Sequence, residues 1–171
     1  MWRSLIPVCC VLLVIGGCNR TSPEELLKEA EQARAVQNFP MAIELYTRVI
    51  TEHPKSAQAE VSAFMIAATY NDDLRDYEKA ISAYREYLQR YPQSAQAPKA
   101  QFLIGYLYHN ELRNLDSAAA AYRTFLASYP DNEMAPSAQF ELDNLGKPAE
   151  ELIPQGLAGS APPERTKAKK K

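Results

Sequence analysis

The sequence predicts an all-α protein, a row of about three helix-turn-helix repeats closed by a C-terminal capping helix. Two observations carry that prediction. The first is a period. His53-Pro54-Lys55-Ser56-Ala57-Gln58-Ala59 returns 38 residues later as Tyr91-Pro92-Gln93-Ser94-Ala95-Gln96-Ala97. It returns again at the same spacing as Tyr129-Pro130-Asp131-Asn132-Glu133-Met134-Ala135. The register holds inside the copies. Ala42-Ile43 and Tyr46 match Ala80-Ile81 and Tyr84, then Ala118-Ala119 and Tyr122. Phe64, Phe102 and Phe140 align, as do Ile50, Leu88 and Leu126. A fixed period of this length marks a solenoid-type array. The second observation is the spacing of apolar residues. Val61, Phe64, Ala67 and Tyr70, then Tyr77, Ile81, Tyr84 and Leu88, recur every three or four positions. That is the stripe of an amphipathic helix, and no alternating strand pattern competes with it.

Taken in order, helices are expected over 23–36, 39–52, 56–71, 76–90, 94–110, 114–128 and 134–145. Pro54, Pro92 and Pro130 end the second helix of each copy, because proline removes a backbone donor and clashes with the preceding turn. Ser56 and Ser94 then stand where the next helix needs an N-cap. Asn71 to Asp76 reads as a polar turn, with Asp76 capping the helix that follows. Ala135, Ala138, Phe140, Leu142 and Leu145 give the capping helix, and Gly146 its C-cap. Small residues at Ala30, Ala67 and Gly105, and at Ala42, Ala80 and Ala118, let paired helices approach closely. No pair buries its apolar face alone, so stacking is what makes the core.

These residues resemble the tetratricopeptide repeat family, over about 24–145. Ala30, Ala67 and Gly105 fall on its small position, Tyr70 and Tyr108 on its aromatic position, and Ala42, Ala80 and Ala118 on its alanine. Pro54, Pro92 and Pro130 fall on its terminal proline, while Ala33 departs where Tyr is usual. The repeats are then 23–56, 57–94 and 95–132, and the 38-residue period is four residues longer than the family's usual length. The Tyr-Pro-x-Ser variant is similar to the subtype in bacterial envelope proteins, among them the β-barrel assembly lipoprotein and the periplasmic cell-division coordinator. The resemblance implies a right-handed superhelix whose first helices line a peptide groove. By position that groove takes Leu27, Glu31 and Arg34 from the first copy, and Val61, Phe64, Ala68 and Asn71 from the second. The third supplies Lys99, Phe102, Tyr106, His109 and Asn110. For Phe64 and Phe102, packing in the core is the competing reading.

The N-terminus has a different pattern. Arg3 precedes an uncharged stretch from Ser4 to Gly17, the layout of an export signal. Its apolar run is short for a membrane-spanning helix, which needs about 20 residues. It ends Ile15-Gly16-Gly17-Cys18, which resembles the lipobox of bacterial lipoproteins. The resemblance implies removal of 1–17, a diacylglycerol on Cys18, a tether over 18–22 and membrane attachment through the lipid. Asn19 is not the Asp that the sorting pattern associates with inner-membrane retention, so the outer membrane is expected. All three cysteines lie at or before Cys18, so the mature chain forms no internal disulfide.

Charge and composition exclude other classes. Residues 18–163 carry thirteen basic and twenty acidic groups, a net of −7, which argues against nucleic-acid binding. Residues 146–171 are rich in Pro and Gly and end in lysines, a composition that reads as disordered. That basic tail is either a solvated end or a contact for anionic lipid, cell-wall carboxylates or an acidic partner. No phosphate-binding loop, catalytic cysteine or metal-ligand spacing is present. His53 takes the place of Tyr91 and Tyr129 and reads as packing, and His109 lacks a paired ligand. Asp72, Asp73 and Asp76 lack the Gly and Glu of a calcium loop. The expectation is a non-enzymatic scaffold without cofactor, holding a protein or peptide partner in the cell envelope. Outer-membrane protein assembly is its leading role; peptidoglycan binding or cell-wall synthesis is the alternative.

Overall fold

The structure, a computed structural model, describes residues 21–147 and residue 151. Cys18, the proposed signal and the basic tail lie outside these residues. Seven α-helices follow one another: α1 (Pro23–Ala35), α2 (Phe39–Glu52), α3 (Ala57–Ala68), α4 (Tyr77–Arg90), α5 (Ala97–Tyr106), α6 (Leu115–Ser128) and α7 (Ala135–Asp143). Each packs on the next in sequence, and α1 also touches α3, so the helices form a row of hairpins. There is no strand among the described residues. None of the described helices is long and apolar enough to cross a membrane.

The small residues sit where the helices meet. Ala30, Ala67, Ala42, Ala80 and Ala118 are fully buried, as is Gly105. Each layer closes on one tyrosine of its second helix. Tyr46 shares a core cluster with Ala30 and Ala42, and Tyr84 shares one with Ala67 and Ala80. Tyr122 packs so tightly on Gly105 that a Cβ there would lie 2.7 Å from its ring. Phe64 meets Tyr84 and Tyr87 edge-on at 5.6 and 5.3 Å, and Phe102 packs likewise on Tyr122 and Phe125. Such pairs add roughly 0.5–1.5 kcal/mol each beyond their buried area.

The repeat length has a local explanation. Ala30 and Ala42 are twelve residues apart, whereas Ala67 and Ala80, and Gly105 and Ala118, are thirteen apart. The extra residue is absorbed as one π-helical turn, Thr69–Asp73 after α3 and Leu107–Glu111 after α5. Leu74 N–H donates to Thr69 O, and Leu112 N–H to Leu107 O, both at 3.0 Å. A π turn is how a helix accommodates one added residue without losing register. The expected break at Asn71 therefore comes later. Helical structure runs on to Asp73 and Glu111 because the polar residues there still complete backbone bonds.

After each first helix the chain turns through a left-handed residue that is not glycine: Gln37, Arg75 and Arg113, at φ 61°, 52° and 53°. The next residue caps the second helix. Asn38, Asp76 and Asn114 accept from the N–H groups of Met41, Lys79 and Ser117. Ser56 caps α3 as expected, accepting from Ala59 N–H at 3.1 Å. Ser94 does not cap α5, which begins only at Ala97. Its hydroxyl accepts from Gln96 N–H and donates to Glu60 Oε1 at 2.6 Å, with the Tyr87 hydroxyl also on it. That cross-repeat bond holds Ser94 back from the helix start. The capping helix α7 ends at Asp143, and the left-handed turn falls on Gly146 at φ 76°.

Two substitutions should move stability in opposite directions. Gly105→Ala gains about 1 kcal/mol of helix propensity but drives a methyl into a buried ring, an overpacking cost of about 1–3 kcal/mol, so a net loss is expected. Arg113→Gly relieves a left-handed residue and should gain up to about 1 kcal/mol. Urea denaturation of each variant against the parent measures both.

Candidate functional site

The proposed groove residues lie on the first helices α1, α3 and α5 and on the π turns after α3 and α5, and their exposure differs. Glu31, Lys99 and Tyr106 are exposed. Leu27, Arg34, Phe64, Asn71, Phe102, His109 and Asn110 are half-buried. Val61 and Tyr106 are apolar or aromatic yet 45% and 40% exposed. Ala68 is a correction: it is buried, its single methyl too short to rise past its neighbours, and it offers no side chain to a ligand. Phe64 and Phe102 serve both readings. Their rings pack on the tyrosines of the second helices while one side stays open.

Polar groups at the turn end of this face are tied together. Arg34 Nε donates to Asp73 Oδ2, and its Nη2 lies 3.8 Å from Asp72, so α1 is clamped to the π turn after α3. Asn71 donates to Asp72 Oδ1 at 2.7 Å. One repeat further along, His109 Nδ1 lies 3.0 Å from Glu141 Oε2, joining the second π turn to α7. Asn110 turns back to bond the Tyr106 carbonyl. His53 is half-buried packing at the end of α2, as expected, and its Nε2 also lies 2.8 Å from Thr21 O. Among the described residues no three His, Cys, Asp or Glu side chains converge as metal ligands do.

Two cavities open on the face. One, of about 290 Å³, is lined by Glu60, Val61, Phe64, Met65, Tyr87, Gln96 and Lys99. Lys99 Nζ stands 5.6 Å above the Phe64 ring, a cation–π contact that leaves its charge available. The other, of about 450 Å³, is lined by Glu31, Arg34, Ala35, Tyr46, Met65 and Asp73. Met65 borders both. Met65 and Tyr46 were not among the residues expected here. Met65 directly follows Phe64 in the sequence, and Tyr46 is a fully buried residue of the second helix that borders the second cavity from the core side.

A tetratricopeptide repeat profile matches residues 27–95 and, overlapping, 67–133. The chain belongs to the tetratricopeptide repeat family. No curated protein matches it. Tetratricopeptide repeats generally mediate protein–protein interaction, and the face of first helices is the surface on which the family's groove lies. The two overlapping matches start within consecutive first helices, α1 and α3, so they follow the same hairpin-by-hairpin order as the structure.

The buried tyrosines also set a pH limit on the tetratricopeptide stack. Burial raises the phenol pKa of Tyr46, Tyr84, Tyr87 and Tyr122 above the ordinary value of 10.0. A raised folded-state value means the stability is complete below about pH 10 and falls as pH rises beyond it, because the unfolded chain ionises first. Phenolate absorbance at 295 nm should therefore appear together with loss of helical circular dichroism above pH 10. Ionisation of these residues while helicity is retained would contradict the burial.

Proposed function

We propose that the protein is a lipid-anchored scaffold of the cell envelope, holding a segment of a partner protein in the groove formed by α1, α3 and α5. The observation that carries this reading is the pair of cavities that share Met65 in their walls, with Val61 exposed in the wall of one of them. A face that offers an apolar pocket, exposed aromatic surface and fixed polar groups suits an extended or helical peptide. The family's general role supports a binding function, and the Ile15-Gly16-Gly17-Cys18 pattern supports lipidation of Cys18. An anchor in the outer membrane, and a role in assembling outer-membrane proteins, are the finer parts of this proposal. The alternative, association with peptidoglycan or cell-wall synthesis, draws on the basic residues from Arg165 onward.

Site-specific photocrosslinking in cells tests the groove. A photoreactive residue at Tyr106 should trap a partner protein, while one at Glu78 on α4 should not. Adducts from Glu78 alone would overturn the assignment of the face. β-barrel assembly components among the adducts favour the assembly role, and cell-wall synthases favour the alternative. The anchor has a separate test. Cys18→Ala should lose lipid label and leave the membrane fraction; a variant that keeps both refutes lipidation at this position.

A further inference from the structure

The second and third hairpins each cover a phenyl ring of the first helix with rings of the second. Phe64 lies against Tyr84 and Tyr87, and Phe102 against Tyr122 and Phe125. By the 38-residue period α7 is again a first helix, and Phe140 is its phenyl. Phe140 is 55% exposed, although Ala135 and Ala138 of the same helix are buried in one cluster with Tyr122 and Phe125. Among the described residues the stack thus ends halfway through a hairpin, on an open apolar side chain.

What the chain does next matches the start of a second helix. It leaves α7 through a left-handed residue, Gly146, as the earlier hairpins turn through Gln37, Arg75 and Arg113. In those hairpins the second helix begins two residues later, at Phe39, Tyr77 and Leu115. The same count from Gly146 gives Pro148. Proline suits the first turn of a helix, and Glu150 and Glu151 suit the positive end of its dipole. Glu151 is helical and exposed. At about 100° per residue, the side chain two places on, Ile153, points to the opposite side. Pro154 then ends the run.

The register agrees. Phe64 and Phe102 each stand eleven residues before their left-handed residue, and the rings that cover them stand nine and twelve after it. A phenyl is therefore covered by residues about as far beyond the turn as it lies before it. Phe140 stands six residues before Gly146. Leu152 and Ile153 stand six and seven after, and they are the first large apolar residues past the turn. The starting point is also fixed. A Cβ on Gly146 would lie 3.0 Å from Leu115 Cδ1, so the chain leaves α7 beside the first residue of α6.

We propose that residues 148–153 fold back on α7 as a short closing helix, with Leu152 and Ile153 over the Phe140 ring. This strap supplies part of the missing second helix and closes the C-terminal end of the stack to a second copy or a foreign helix. It does not depend on what the groove of α1, α3 and α5 binds.

The full chain, purified in mild detergent, provides the test. Leu152→Gln together with Ile153→Gln should lower the melting temperature by roughly 3–5 °C. Glu151→Gln, at the exposed position, should leave it unchanged. In a Phe140→Ala background the paired change should cost nothing further, because the ring it acts through is gone. Benzoylphenylalanine at position 140 should crosslink within one chain, to the peptide that holds Leu152 and Ile153. A melting temperature indifferent to the paired change, or a loss that persists in full without Phe140, would overturn the strap. So would adducts that join two copies, or that join the chain to another protein when native membranes are irradiated, since either would name a different occupant of the Phe140 face.

Discussion

The fold depends on one contact repeated along the stack: a residue with little or no side chain on the first helix of each hairpin, set against a buried tyrosine of the second. Ala30 with Tyr46, Ala67 with Tyr84 and Gly105 with Tyr122 are versions of it. A larger residue on the first helix would push the hairpin open, and a smaller one on the second would leave a void. Because the contact recurs every 38 residues, each hairpin presents the same outer surface to the next. The core is then built hairpin by hairpin, as three clusters, with no strand pairing or disulfide among the described residues. It also holds the first helices in place from behind.

Much of this was legible in the sequence. The 38-residue period placed all seven helices to within four residues at each end, because apolar spacing, prolines and caps agree locally. The discrepancies have physical causes. The start of α5 shifted from 94 to Ala97 because Ser94 is claimed by Glu60 of the preceding repeat, a cross-repeat bond that local patterns do not encode. The π turns were hidden in a one-residue difference of spacing that periodicity averages away. The site was legible in outline only. Family position named Ala68, which is buried, and passed over Met65, which borders both cavities. Whether a side chain reaches a cavity depends on its length and on the helix behind it, and neither is a property of a position in a repeat.

The last layer shows what stacking contributes. Phe64 and Phe102 are each covered by rings from the helix that follows. Phe140 holds the equivalent place on α7, and no further helix of a hairpin follows it among the described residues. It is 55% exposed. The same residue type at the same repeat position is half-buried or open according to its neighbour alone, which is the nearest-neighbour character of such arrays.

The π turns give the groove a kind of independence from its scaffold. Each absorbs an added residue within about one turn of helix, so the tyrosine layer behind it does not notice the insertion. The side chains carried on the turn itself differ from copy to copy. Arg34 in the first copy, Asn71 in the second and His109 in the third share one repeat position yet reach different partners: Asp73, Asp72 and Glu141. Lengthening or shortening the chain at this one address would retune what the surface reads while leaving the architecture in place. A lineage built on such units can explore new ligands by small insertions at the turn, with little risk to folding.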